Sequence, residues 1–153
     1  MRYFLWILVL GITACTFRPI YSSNEIKSVC VLSIPEKSGH HIYQALQGHF
    51  PEKTNCQYTL KITTPQVSFS SNNLSDSDFT TMQLIKAQAD YSLMDKNKKV
   101  VLKNSVSSSS SSAVTTSPYA SVVAEEKTTQ NLYTILADQI ALHVATYLNG
   151  QSQ

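Results

Sequence analysis

The chain reads as an α+β protein: a two-layer sandwich of a four-stranded mixed sheet and two helices, in the order β-α-β-β-β-α. Three observations carry that expectation. Apolar residues alternate in four stretches of strand length. Two other stretches repeat at helical spacing, a short one after the first strand and a long one at the C-terminal end. A helix between the first two strands makes them parallel if they are neighbours, whereas the later strands follow closely and form a meander. Two helices cannot cover both faces of such a sheet, so one face is expected to be left for something else.

The first strand spans 26–34. Ile26, Cys30, Leu32 and Ile34 share one side, Val29 and Val31 take the other, and Pro35 ends it. Ser38 then offers a cap for a helix over 39–49, with Ile42, Ala45 and Leu46 at helical spacing and Pro51 beyond its end. The second strand spans 57–70. Tyr58, Leu60 and Ile62 alternate, then Val67 and Phe69 continue in the opposite phase across Pro65. One extra residue produces such a slip, so a β-bulge is expected there. Residues 71–78 form a polar loop.

The third strand spans 79–94, with Ile85, Ala87, Ala89, Tyr91 and Leu93 alternating; Met82 and Leu84, out of phase with them, suggest a second slip. The segment 95–98 is a hairpin turn, with Asn97 suited to a left-handed position. The fourth strand returns over 99–106 and runs into six consecutive serines, 107–112, a flexible linker by composition or, because Ala113 and Val114 resume apolar character, the frayed polar end of the strand. The last helix covers 118–149. Ser117 is its cap and Pro118 its first residue. Glu125 and Glu126 lie near the positive end of its dipole, and Asn149-Gly150 is its stop. Leu132, Leu136, Ile140, Val144 and Leu148 form the apolar stripe, which Ile135 and Tyr147 widen.

The N-terminus has a separate logic. Arg2 gives a positive start, Tyr3 to Leu10 is apolar, and Gly11-Ile12-Thr13-Ala14 closes the segment with small residues before Cys15. Those are the parts of an export signal, and the run is shorter than the ~20 residues a membrane-spanning helix needs. The ending resembles a bacterial lipobox. It implies a lipoprotein signal peptide over 1–14, acyl chains on Cys15 that hold the chain to a membrane, a tether over 15–24 and a single domain over 25–153. More than one acyl chain is required for stable anchoring.

Composition narrows the function. Lys and Arg total 12 against 10 acids, and losing Arg2 with the signal leaves 11 against 10. That balance excludes the strongly basic face nucleic acid requires. Cys30 and Cys56 remain in an exported chain, where a disulfide is permitted; burial as free thiols is the equal alternative.

Nothing in the chain has the pattern of an enzyme or a metal or cofactor site. His40, His41 and His49 lack ligand spacing, Asp76 and Asp78 read as a solvated loop, and His143 edges the apolar stripe. Phosphate-loop and nucleophile-elbow motifs do not occur. The one charge cluster is Lys96, Lys98, Lys99 and Lys103, with Lys99 and Lys103 expected on one face. It is either a solvated hairpin or a contact for an anionic lipid or phosphate.

The stretch Cys15-Thr16-Phe17-Arg18-Pro19-Ile20-Tyr21 resembles the start of the LPS-assembly (LptE-like) lipoproteins of α-proteobacteria. Ser117-Pro118-Tyr119-Ala120, Ala124-Glu125, Leu136-Ala137-Asp138-Gln139-Ile140 and Tyr147-Leu148 resemble their last helix. Thr16, where glycine is usual, and the serine run depart from the pattern. The resemblance implies an outer-membrane lipoprotein, anchored on the periplasmic side, that plugs an LptD-type β-barrel, assists its assembly and serves lipopolysaccharide insertion. A free-standing periplasmic lipoprotein that binds lipid or an envelope protein is the alternative.

Overall fold

The structure, a computed structural model, describes residues 28–34, 36–51, 55–72, 81–114 and 117–151. Cys15, the signal segment, the tether, Ile26, Asp76 and Asp78 lie outside the described residues. The elements run β1 (Val29–Val31), α1 (Lys37–His49), β2 (Tyr58–Ile62), β3 (Gln66–Asn72), β4 (Thr81–Asp95), β5 (Val100–Val114) and α2 (Pro118–Gln151). The architecture is the expected two-layer α+β sandwich with a mixed sheet and two helices.

The sheet has five strands where four were expected, because the second strand is divided at Pro65. β2 pairs with the C-terminal half of β4 and β3 with its N-terminal half, both antiparallel and along the same edge. Ile62 faces Tyr91 and Gln66 faces Gln88, so four steps on one side meet three on the other. That single extra residue is the expected bulge. Thr63 knits it: its N–H donates to the Asp90 carbonyl at 2.9 Å, and its hydroxyl accepts from the Asp90 N–H at 3.2 Å. The hydroxyl stands in for the ladder carbonyl that the bulge displaces.

β1 pairs in parallel with β2, Val29 opposite Tyr58, as the crossover through α1 requires. It is shorter than the expected strand, and Ile34 joins the core beyond its end while Leu32 is exposed. β5 pairs antiparallel with β4 along almost its whole length, serine run included. The serines are therefore a paired strand and not a frayed end. Serine has little strand preference of its own; alignment with Ile85, Ala87 and their neighbours on β4 supplies the order.

No slip occurs at Met82 and Leu84. Their register with β3 and β5 is continuous, and they point to the face opposite Ile85. The slip lies instead near the hairpin, where Leu93 faces Leu102 but Met94 faces Val100, leaving Val101 extra. The turn is fixed by Asp95, whose carboxylate accepts the N–H of Asn97 at 2.8 Å and of Lys99 at 2.9 Å. Its left-handed residue is Lys98, φ 61°, not Asn97. In a three-residue hairpin loop the left-handed position follows a type I turn, and Lys98 occupies it.

Both helices cover one face. α1 begins at Lys37, not after a Ser38 cap: Glu36 takes φ 85° and makes no side-chain cap bond. What holds α1 is burial of Ile42 and Leu46, each 0% exposed, and the approach of Gly39 to Ile34. On α2, Leu132, Leu136, Ile140, Val144 and Leu148 are all fully buried. At ~2 kcal/mol each they outweigh the ~1 kcal/mol of a cap, so packing and not termini fixes this helix. Tyr133, Ala137, Ala141 and Ala145 widen the stripe, whereas Ile135 is exposed and Tyr147 half-buried. The helix passes Asn149-Gly150 to Gln151, because Gly150 has no left-handed φ to stop it. Glu125 and Glu126 stand beyond the first turn, out of reach of the dipole.

Candidate functional site

The sheet face opposite the helices is uncovered among the described residues. Alternation fixes what it displays. Leu60, Ile62, Ile85, Ala87, Ala89, Tyr91 and Leu93 point into the core, so their neighbours point out. Reading across the strands gives Lys61–Ser92–Lys103, Gln66–Gln88–Ser107, Ser68–Lys86–Ser109 and Ser70–Leu84–Ser111. Hydroxyls, amides and lysines dominate. One apolar spot lies at the far end, where Met82 is 52% and Leu84 40% exposed. Gln88 Nε2 donates to Ser105 Oγ at 3.3 Å, a cross-strand bond on this face. Such a face has hydrogen-bonding capacity and little apolar drive, which suits contact with a polar partner surface.

The four expected lysines do not form one patch. Lys96, Lys98 and Lys99 surround the hairpin; Lys103 lies on the outer face, and the extra Val101 removes Lys99 from its side. All four are exposed. Lys103 instead shares a row with Lys61, two strands away, and Lys86 lies farther along the same face. Lys61 and Lys86 belong to no charge cluster in the sequence, and the signal that marks them is their antiphase with apolar neighbours. Beside the hairpin, Gln57, Tyr58, Asp95, Lys96 and Asn97 line a shallow hollow of about 300 Å³.

On the helical side an open groove of about 270 Å³ lies between α1, β3 and α2. Val67, Phe69 and Tyr133 form its apolar wall, with Glu125 and Glu126 on the rim. Phe69 is 49% exposed, because neither helix reaches over β3.

Three of the four histidines contact neighbouring side chains. His41 stacks on Tyr133 with centroids 6.4 Å apart, and His49 bonds Asp138 at 2.8 Å. His143 Nδ1 and the Tyr91 hydroxyl lie 2.9 Å apart. Burial pushes the Tyr91 hydroxyl above the ordinary tyrosine range, against a smaller opposing effect of its bond to Asn104. Burial raises Tyr133 as well. Among the described residues no three His, Cys, Asp or Glu side chains come together as a metal site. Cys30 and Cys56 are joined in a disulfide, Cα atoms 5.6 Å apart, across the starts of the parallel pair β1 and β2. It ties the middle of β1 to the chain entering β2.

No protein-family model matches the chain, and no curated protein sequence does. Solved structures do. A lipoprotein from Caulobacter crescentus superposes with a TM-score of 0.65 at 20% identity, covering 86% of this chain and 96% of that one. Rare lipoprotein B from Shewanella oneidensis gives 0.64 at 11% identity, covering 82% and 98%. A minor lipoprotein from Acinetobacter baumannii gives 0.62 at 13%, covering 80% and 95%. At these identities the likeness establishes a shared fold.

Proposed function

We propose that this chain is a lipid-anchored envelope lipoprotein, attached through Cys15 on the periplasmic side of the outer membrane. Its sandwich seats as a non-enzymatic plug in an LptD-type β-barrel, for barrel assembly and for passage of lipopolysaccharide. The observation that carries the reading is the uncovered sheet face. It is a broad surface of serine, glutamine and lysine whose opposite side is a fully formed core, so it is free to be covered without unfolding anything. The lumen of a barrel is polar and offers hydrogen-bond partners to such a surface. The fold shared with bacterial lipoproteins and the Ile12-Thr13-Ala14-Cys15 ending support the anchor. Lys61, Lys86 and Lys103 on the face, with Lys96, Lys98 and Lys99 at the hairpin, are the cations available to lipopolysaccharide phosphates.

The open groove at Phe69 favours a second reading, a free-standing lipoprotein that binds a lipid chain between α1, β3 and α2. Purification of the chain from membranes in mild detergent separates the two. Recovery with a large β-barrel in equal amount supports the plug. Recovery alone with bound lipid supports the alternative and rejects the plug.

A further inference from the structure

β5 is an edge strand of unusual character. It spans 15 residues and pairs only with β4; among the described residues nothing pairs with its other side. Exposed edges are normally protected by charge, proline, a bulge or shortness, because their free N–H and C=O groups template another strand. β5 has none of these from Asn104 to Val114. No charged residue and no proline occurs there, and its register is unbroken from Leu102 to Val114.

We propose that this edge pairs with the same edge of a second copy, in a two-fold dimer that extends the sheet from five strands to ten. The dimer is a state of the free chain and does not rest on the barrel reading. An antiparallel two-fold centred on Ser108 places Ser107 opposite Ser109, Ser105 opposite Ser111 and Lys103 opposite Ala113. Each pair differs by an even number of residues, so both partners keep the same faces, and no charge meets a like charge. The short serine side chains impose no bulk on either face.

The helices fit the same axis. α2 packs over both β4 and β5, so its axis lies near the seam between them. With strands about 4.8 Å apart, the two copies of α2 come to lie about 10 Å apart, within the range at which helices pack.

The test uses the full chain purified in mild detergent. Sedimentation across about a hundredfold range of concentration is expected to show a reversible monomer–dimer equilibrium. Replacing Ser107→Lys and Ser109→Lys together sets like charges opposite each other and is expected to weaken association about tenfold or more. Single cysteines at Ser105, Ser107, Ser109 and Ser111, joined by a short bismaleimide, are expected to link copies best at Ser107 and Ser109. A Lys61→Cys control on β2 is expected to give no link. A monomer at every concentration, or edge linkage no better than at Lys61, overturns the proposal whatever the lysine variant does to folding.

Discussion

Opening the Cys30–Cys56 bond by replacing both residues with alanine is expected to lower stability by about 3.5 kcal/mol. The bond closes a sequence separation of 26. The loop-entropy relation gives about 12 cal/mol/K for a loop of that length, or about 3.5 kcal/mol at room temperature. For the 110 described residues, an unfolding entropy of about 2.1 cal/mol/K per residue converts this to a fall of about 15 °C in Tm. β1 is only three residues long, so the bond is also its main lateral attachment beyond the ladder to β2. Calorimetry of the oxidised chain and of the double variant measures the difference, and reduction of the unmodified chain checks it independently. A Tm lowered by less than about 4 °C in both comparisons, near the effect of a single kcal/mol, would refute the reasoning. It would mean that the crossover through α1 is held by Ile42, Leu46 and Phe50 alone.

Gly39→Ala sets two magnitudes against each other. Alanine favours a helix by about 1 kcal/mol, but its Cβ would stand 2.6 Å from Ile34 Cβ. Overpacking costs about 1–3 kcal/mol, so chemical denaturation is expected to show net destabilisation; a more stable variant would contradict the close approach. Tyr91→Phe removes the bond to His143 and is expected to cost about 1 kcal/mol. The same variant bears on pH. The folded-state Tyr91 pKa is raised by burial, so its contribution is full below the ordinary tyrosine value of about 10 and is lost as pH rises through the folded value. Alkaline destabilisation is therefore expected to be shallower in Tyr91→Phe, and an unchanged slope would reject that assignment. Neutralising Lys61, Lys86 and Lys103 to Gln is expected to weaken lipopolysaccharide binding in a salt-sensitive way and to leave stability within about 0.5 kcal/mol per site. Binding that is unchanged at low salt would remove these lysines from the account.

The fold was legible where periodicity was strong. The i, i+4 stripe from Leu132 to Leu148 and the alternation from Ile85 to Leu93 each specify one face, and both faces are buried as expected. The phase reversal across Pro65 was enough to locate a bulge before any partner strand was known. Other features were hidden because they depend on partners. Met82 and Leu84 looked like a slip, since an apolar residue was assumed to point inward; they point outward, exposed. The serine run has no pattern of its own and takes its order from β4. The extra Val101 shows only in the register with Leu93 and Met94, so the sequence alone placed Lys99 and Lys103 on one face. The outer surface itself was anticipated from the shortage of helices, but Lys61 and Lys86 become part of it only when the strands are set side by side.

In the proposed complex the uncovered sheet face is seated against the β-barrel. Lys86 is exposed in the middle of that face on β4, and Gln44 is exposed on α1 in the opposite layer. A photocrosslinking residue placed at each position in living cells reports which layer meets the barrel. An adduct with a large outer-membrane β-barrel protein is expected from position 86 and a much weaker one from position 44. No barrel adduct from position 86 in a well-expressed, correctly anchored chain would contradict that seating.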